Sequence, residues 1–186
     1  MFKQISGIAL ALAVVGACSD RAPTSPGHDV ATTSTASLSA EAGVVSSVNG
    51  AGHQWASAPG GEDKPALRNF SINAKKKADG TVTGHYNVVT ASGLHASGKI
   101  TCLNVVGNRA FIGAEFETKT ELPFTVVGVA LEIVDGGNGP DAVDQISALG
   151  LFPAEFGFTE DDVQAFCDDA IEGPVEPIDL GSIHVR

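Results

Sequence analysis

The stretch "NFSINAKKKADGTVTGHYNVV", residues 69–89, decides how this chain folds. Phe70, Ile72 and Ala74 alternate with Asn69, Ser71 and Asn73, and period-two alternation marks a strand with one buried face. After Ala78-Asp79-Gly80 the less polar face resumes at Val82, Gly84, Tyr86 and Val88. A three-residue loop with Gly80 left-handed joins the two runs as a hairpin. It sets Ile72 opposite Tyr86, Phe70 opposite Val88 and Ala74 opposite Gly84. The apolar faces match.

The same test extends outward. Ala91-Ser92-Gly93 is a second loop of this kind, and it sets Val88 opposite Ala96 and Tyr86 opposite Gly98. Val106-Gly107-Asn108, with Asn108 left-handed, predicts a third turn. It sets Ile100 opposite Ala114 and Cys102 opposite Ile112. Four successive strands hold one register, because a slip of one residue would turn every apolar face outward. In this meander Tyr86 lies over Gly98, an aromatic ring covering bare backbone.

Further along, "FTVVGVALEIV", residues 124–134, is apolar on both faces and reads as a buried strand. "FTEDDVQAFCDDAI", residues 158–171, reads as the one helix. Thr159 suits its N-cap, Glu160, Asp161 and Asp162 suit its positive end, and Val163, Phe166, Cys167 and Ala170 share a face. "PIDLGSIHVR", residues 177–186, closes the sheet as a last strand beside "AGHQWASA", residues 51–58. The expected fold is mainly β, with six or seven antiparallel strands and one helix in a small barrel or sandwich.

The N-terminus carries Lys3 and then the uncharged run "ISGIALALAVVGA", residues 5–17, before Cys18. A short basic start, an apolar core and small residues describe a secretory signal. The run is shorter than the roughly 20 residues a membrane-spanning helix needs. Val15-Gly16-Ala17-Cys18 resembles the lipobox of bacterial lipoproteins, which implies cleavage before Cys18 and acylation of that cysteine. The alternative is an ordinary signal peptide cut near Ala17 or Ala22. Residues 18–48, rich in Ser, Thr and Ala, read as a flexible tether, with His28 incidental within it. Residues 49–186 then form a single β domain. Ser19 after the cysteine, by resemblance to enteric lipoproteins, permits outer-membrane sorting, so the expected location is the cell envelope, extracytoplasmic and lipid-anchored.

Three cysteines in an exported chain leave one unpaired. If Cys18 holds lipid, Cys102 and Cys167 remain, and an oxidising compartment favours joining them. Two buried free thiols are the alternative.

Net charge is −11, from 22 acidic and 11 basic residues. Nucleic-acid binding, which relies on Lys and Arg neutralising phosphates, is not expected. Lys75-Lys76-Lys77 reads as a solvated hairpin end. Aromatic residues are only 6%, which argues against a broad aromatic sugar-binding platform.

On the outward face of the meander Asn73 falls opposite His85, His85 opposite Lys99, and Lys99 opposite Glu115. This row, with Glu117, is either an acid–base set or a wet sheet face held by cross-strand pairs of roughly a few tenths of a kcal/mol each. "DGGNGPDAVDQ", residues 135–145, brings Asp135, Asn138, Asp141 and Asp144 together as oxygen donors that Ca2+ would accept. The spacing does not match an EF-hand, and Asp and Asn beside Gly also form ordinary turns. His53, His95 and His184 lack metal-ligand spacing, and no serine sits in a G-x-S-x-G context.

"FSINAKKKADGTVTGHY", "ITCLNVVGNRAFIGAEF" and "VDGGNGPDAVDQIS" resemble phrases of uncharacterised exported bacterial β-domain proteins. The resemblance covers roughly residues 50 to 150. It implies a β fold and export, and it transfers no catalytic residue. The expected function is a non-enzymatic envelope module that binds a small apolar ligand inside the barrel or contacts another envelope protein. The alternative is a hydrolase or isomerase working in the barrel mouth through His85, Glu115 or Asp135.

Overall fold

The computed structural model of the protein describes residues 43–56, 66–139 and 141–186. The signal segment, Cys18 and the tether up to residue 42 lie outside the described residues. Four long strands come first: β1 (Val44–Ala56), β2 (Ala66–Lys77), β3 (Val82–Thr90) and β4 (His95–Val106). The domain begins earlier than composition indicated. Val44 to Val48, expected in the tether, pair with β2 instead, and Val48 is fully buried. A run of Val and Ser reads as tether by composition alone; Val48 facing the core makes it strand.

The hairpin of residues 69–89 has the expected register, with Ile72 against Tyr86, Phe70 against Val88 and Ala74 against Gly84. Gly80 is left-handed (φ 85°) and its N–H donates to the Lys77 carbonyl. The second hairpin likewise sets Val88 against Ala96 and Tyr86 against Gly98. A Cβ on Gly98 would run into the Glu115 carbonyl first and stand 3.0 Å from the Tyr86 ring, so close backbone approach requires glycine there and the ring packs over it.

The third hairpin departs from expectation. Its loop is the pair Gly107-Asn108, with Gly107 left-handed (φ 63°) and Val106 directly opposite Arg109. Ile100 still faces Ala114, but Cys102 faces Gly113 and Leu103 faces Ile112. A bulge at Thr101 causes the shift. The extra residue turns Leu103 into the core and Cys102 to the outside.

The chain continues through β5 (Arg109–Ala114), β6 (Glu117–Thr118), β7 (Val126–Val134), β8 (Gln145–Ser147), β9 (Gly150–Pro153), helix α1 (Glu160–Asp168), β10 (Val175–Pro177) and β11 (Leu180–Val185). Eleven strand segments are thus present among the described residues, where six or seven were expected. All pair antiparallel in the order β10-β8-β7-β5-β4-β3-β2-β1-β11, with β6 on β4 and β9 on β7. The result is a curled half-barrel.

Its inner face is filled by Ile72, Tyr86, Val88, Ile100, Leu103, Ile112, Leu131, Ile133, Ile146 and Ile183. Side chains bridge the two ends of the sheet. Asp144 Oδ2 accepts the Ile183 N–H at 2.7 Å and Asp135 Oδ2 accepts that of Val185 at 2.9 Å. From the inside, Gln54 Nε2 donates to the carbonyl of Glu176 at 2.7 Å.

Helix α1 packs on the outer face of β4, β5 and β7. A Cβ on Gly113 or on Gly128 would meet a Val163 methyl at 2.8 Å, so the bare backbone admits the helix closely. Cys102 and Cys167 are at disulfide-bonding distance, with Cα atoms 6.2 Å apart. Phe166 meets Phe111 edge-on at 6.0 Å. At the N-terminus the Thr159 N–H donates to Asp162 at 2.7 Å, and that bond holds the Asp162 carboxyl below its usual range.

Candidate functional site

From the Thr101 bulge onward, Cys102, Phe111, Gly113, Gly128, Ala130 and Glu132 on the outer side of β4, β5 and β7 are buried, with α1 packed over this face. Where the helix ends, cover gives way to a groove. Ala130 and Glu132 of β7, Ser147 of β8, Phe152 of β9, Phe166 of α1 and Gly173 line a cavity of about 240 Å³. Phe158 stacks edge-on against Phe152 at 5.2 Å and lengthens the aromatic wall.

The polar groups of this groove are committed to one another. Glu132 is 1% exposed; one carboxylate oxygen pairs with Arg109 and the other accepts the Gly173 N–H at 2.7 Å. Ser147 Oγ accepts the Glu132 N–H at 2.9 Å and donates to the Ala148 carbonyl at 2.9 Å. A hydroxyl engaged in this way is not poised as a nucleophile, and the one carboxylate among the groove's lining residues, Glu132, is taken up by Arg109 and the Gly173 amide. The walls are otherwise apolar.

Charge is distributed unevenly around this site. From Thr120 to Val185 the sequence holds fourteen Asp and Glu and no Lys or Arg. The last turn of α1 carries no basic residue, and Asp168, Asp169 and Glu172 follow one another there. The partial negative charge of a helix C-terminus adds to theirs. Arg109 is the cation at this edge, and it is shared between Glu132 and Glu172, the latter at 3.4 Å.

The residues singled out from sequence are placed elsewhere. His85, Lys99 and Glu115 are exposed on the outer face of the sheet. The Glu115 N–H donates to the Lys99 carbonyl, and the Glu115 side chain lines a second cavity, of about 270 Å³, beside Glu160 and Asp161 at the start of α1. His85 does not line it. Asp135 and Asp144 each accept a β11 amide with one oxygen; the other takes a loop amide, that of Gly137 for Asp135 and of Gly136 for Asp144. Asn138 and Asp141 are exposed. Among the described residues no group of three or more His, Cys, Asp and Glu is placed to hold a metal ion. The acidic loop is a clasp for the sheet ends.

Sequence reasoning missed Ser147 and three larger buried polar residues. Arg68 is 4% exposed and donates to Gln54 inside one end of the half-barrel. Burial lowers its pKa, and Glu176 opposes that shift. Glu132 is the third. Each could have been found: Arg68 and Gln54 keep the parity of the inward residues of their strands, and Glu132 interrupts an otherwise apolar run. Tyr86 is also fully buried, and its hydroxyl lacks a hydrogen-bond partner among the described residues; desolvation pushes its pKa up, with Glu117 adding to the effect.

No helix among the described residues is long and apolar enough to cross a membrane. Compared with protein-family models, curated proteins and solved structures, the chain matches none.

Proposed function

We propose that the protein is a lipid-anchored, non-enzymatic binding module of a bacterial cell envelope, and that it binds through the outer groove between β7, β9 and α1. The groove carries this reading: it is concave and apolar-walled, and its polar groups are already satisfied by each other. Such a surface recognises shape and apolar area. The inner face of the half-barrel is occupied by core side chains, which favours the outer groove over an internal ligand site. Asp135 is engaged in the clasp, and His85 and Glu115 are exposed, which weighs against the hydrolase or isomerase alternative. The lipobox-like Val15-Gly16-Ala17-Cys18 and the Ser/Thr/Ala-rich segment after it support anchoring.

Two measurements test the parts separately. Mass spectrometry of membrane-extracted protein should show residues 1–17 removed and acyl mass on Cys18, and Cys18→Ala should release the protein. A photo-crosslinking residue at Ala148, in the groove, should trap a discrete envelope component in the native membrane. The same probe at exposed Thr83 should not. Equal labelling at the two positions would remove the groove as the binding site.

A further inference from the structure

We propose that the occupant of this groove is a cationic segment of another protein, anchored by one large apolar side chain; the proposal rests on the binding-module reading above and gives its partner a chemistry. Size comes first. At about 240 Å³ the groove falls below the roughly 300–1,000 Å³ of small-molecule pockets. It suits a single aromatic or aliphatic side chain, the form that an interface anchor takes. Apolar surface extends beyond it: Phe156 is 80% exposed, and Phe158 and Ile171 are exposed as well. A free small ligand would leave that surface wet, whereas a polypeptide would cover it.

Charge selects among polypeptides. Between Thr120 and Val185 the chain holds fourteen carboxylates and no Lys or Arg, and Arg109 at the groove's edge is already shared between Glu132 and Glu172, so the local balance is negative. The segment at the end of α1, Asp168, Asp169 and Glu172, concentrates it next to Phe166 and Gly173. Acidic residues at a helix C-terminus oppose the helix dipole. Asp168 accepts from Gln164 one turn back and Glu172 meets Arg109, but the net charge of the three stays negative. They would steer and hold Lys or Arg flanking the anchor. A second copy of this chain would present the same negative surface, and so would anionic lipid headgroups. Both are repelled.

The test uses the full mature protein in detergent and four eight-residue peptides. One is Lys/Arg-rich with a central Trp, one is Lys/Arg-rich with Ala in its place, one is Glu-rich with Trp, and one is Ser/Gly with Trp. Only the first should bind tightly by fluorescence anisotropy. Its affinity should fall about tenfold between 50 mM and 500 mM salt, since exposed charges are screened within a few ångströms at high ionic strength. Ala148→Trp, which fills the groove from an exposed position, should abolish binding. The triple variant Asp168→Asn, Asp169→Asn, Glu172→Gln should weaken it about tenfold. Equal binding of both basic peptides, unchanged by Ala148→Trp, overturns the proposal as mere charge attraction. Equal binding of all three Trp peptides overturns the cationic assignment and leaves the module reading standing. Binding of none of them, or dimerisation abolished by Ala148→Trp, also overturns it. The Ala148 crosslink in the native membrane then decides the module reading by itself.

Discussion

The sheet before Thr101 and the sheet after it are built on different terms. In β2, β3 and the first half of β4, Phe70, Ile72, Tyr86, Val88 and Ile100 are buried, while Ser71, Asn73, His85, Asn87 and Lys99 between them are exposed. One face is dry and the other wet. In β5 and β7 the alternation vanishes, because Phe111, Gly113, Ala130 and Glu132 on the outer side are buried as deeply as Ile112 and Leu131 on the inner. Helix α1, its disulfide and the segment at Gly173 cover them. The comparison teaches that one inserted residue can divide a continuous sheet into a single-covered and a double-covered half. The candidate site lies where the second cover runs out.

If that division is real, damage to the cover should be felt mainly in the second half. The largest effect should come from the disulfide. It closes a separation of 65 residues, and chain-entropy reasoning gives on the order of 4 kcal/mol for its loss. Reduction, or Cys102→Ala with Cys167→Ala, should lower the denaturant midpoint by a matching amount. Amide exchange should accelerate in β5 and β7 before β2 and β3. Uniform acceleration would erase the distinction between the halves.

A smaller effect is expected from Gly113→Val, which drives a side chain into Val163 and the Cys102 sulfur. Overpacking of this kind costs about 1–3 kcal/mol. The matched change on the wet half, Thr83→Val, should stay within about 0.5 kcal/mol. Equal costs in the two variants would show that α1 is not seated closely on bare backbone.

Asp144→Ala tests the clasp. It strips a carboxylate from the amides of Ile183 and Gly136 and should cost about 1–2 kcal/mol, chiefly because the part-buried Ile183 donor is left unsatisfied while the exposed Gly136 amide can turn to water. The Ile183 amide should lose protection first. Added Ca2+ should restore nothing in the wild-type or the variant; a calcium-dependent rise in melting temperature would return this loop to the metal-site reading. The smallest effects belong to His85→Gln and Glu115→Gln, each expected to change stability by under about 1 kcal/mol.

Legibility followed the same division. Where one face is wet, alternation carries register, and the pairings of Phe70, Ile72, Tyr86 and Val88 could be read directly. The bulge at Thr101 was invisible, because Cys102 and Leu103 are both apolar and either could face inward. That single ambiguity moved Cys102 from the core face to the outer face. The pairing with Cys167 survived because cysteine number and compartment support it whichever face Cys102 occupies, although the helix packs on the outer face and not, as expected, on the meander's apolar one. The groove was not legible at all: Phe152, Phe166, Ser147 and Glu132 come from separate elements and meet only through the path of β8 and β9 along β7. Asp135 and Asp144 were noticed for their oxygens, but their partners, the amides of β11, lie some forty or fifty residues onward in the chain.

The pairing of β1 with β11 bears on the order of folding. Val48 is opposite Val185, so the first strand waits for the last before its outer edge is satisfied. Short hairpins close quickly, and a closure across the whole domain comes late. Until then β1 is an open edge, which invites pairing with the wrong neighbour. Its sequence is suited to the wait: between Val48 and Trp55 it reads Asn-Gly-Ala-Gly-His-Gln, with no aliphatic side chain larger than alanine. Such a strand has little drive to pair by itself. One edge is held by β2, and the other closes only when Ile183 and its neighbours arrive.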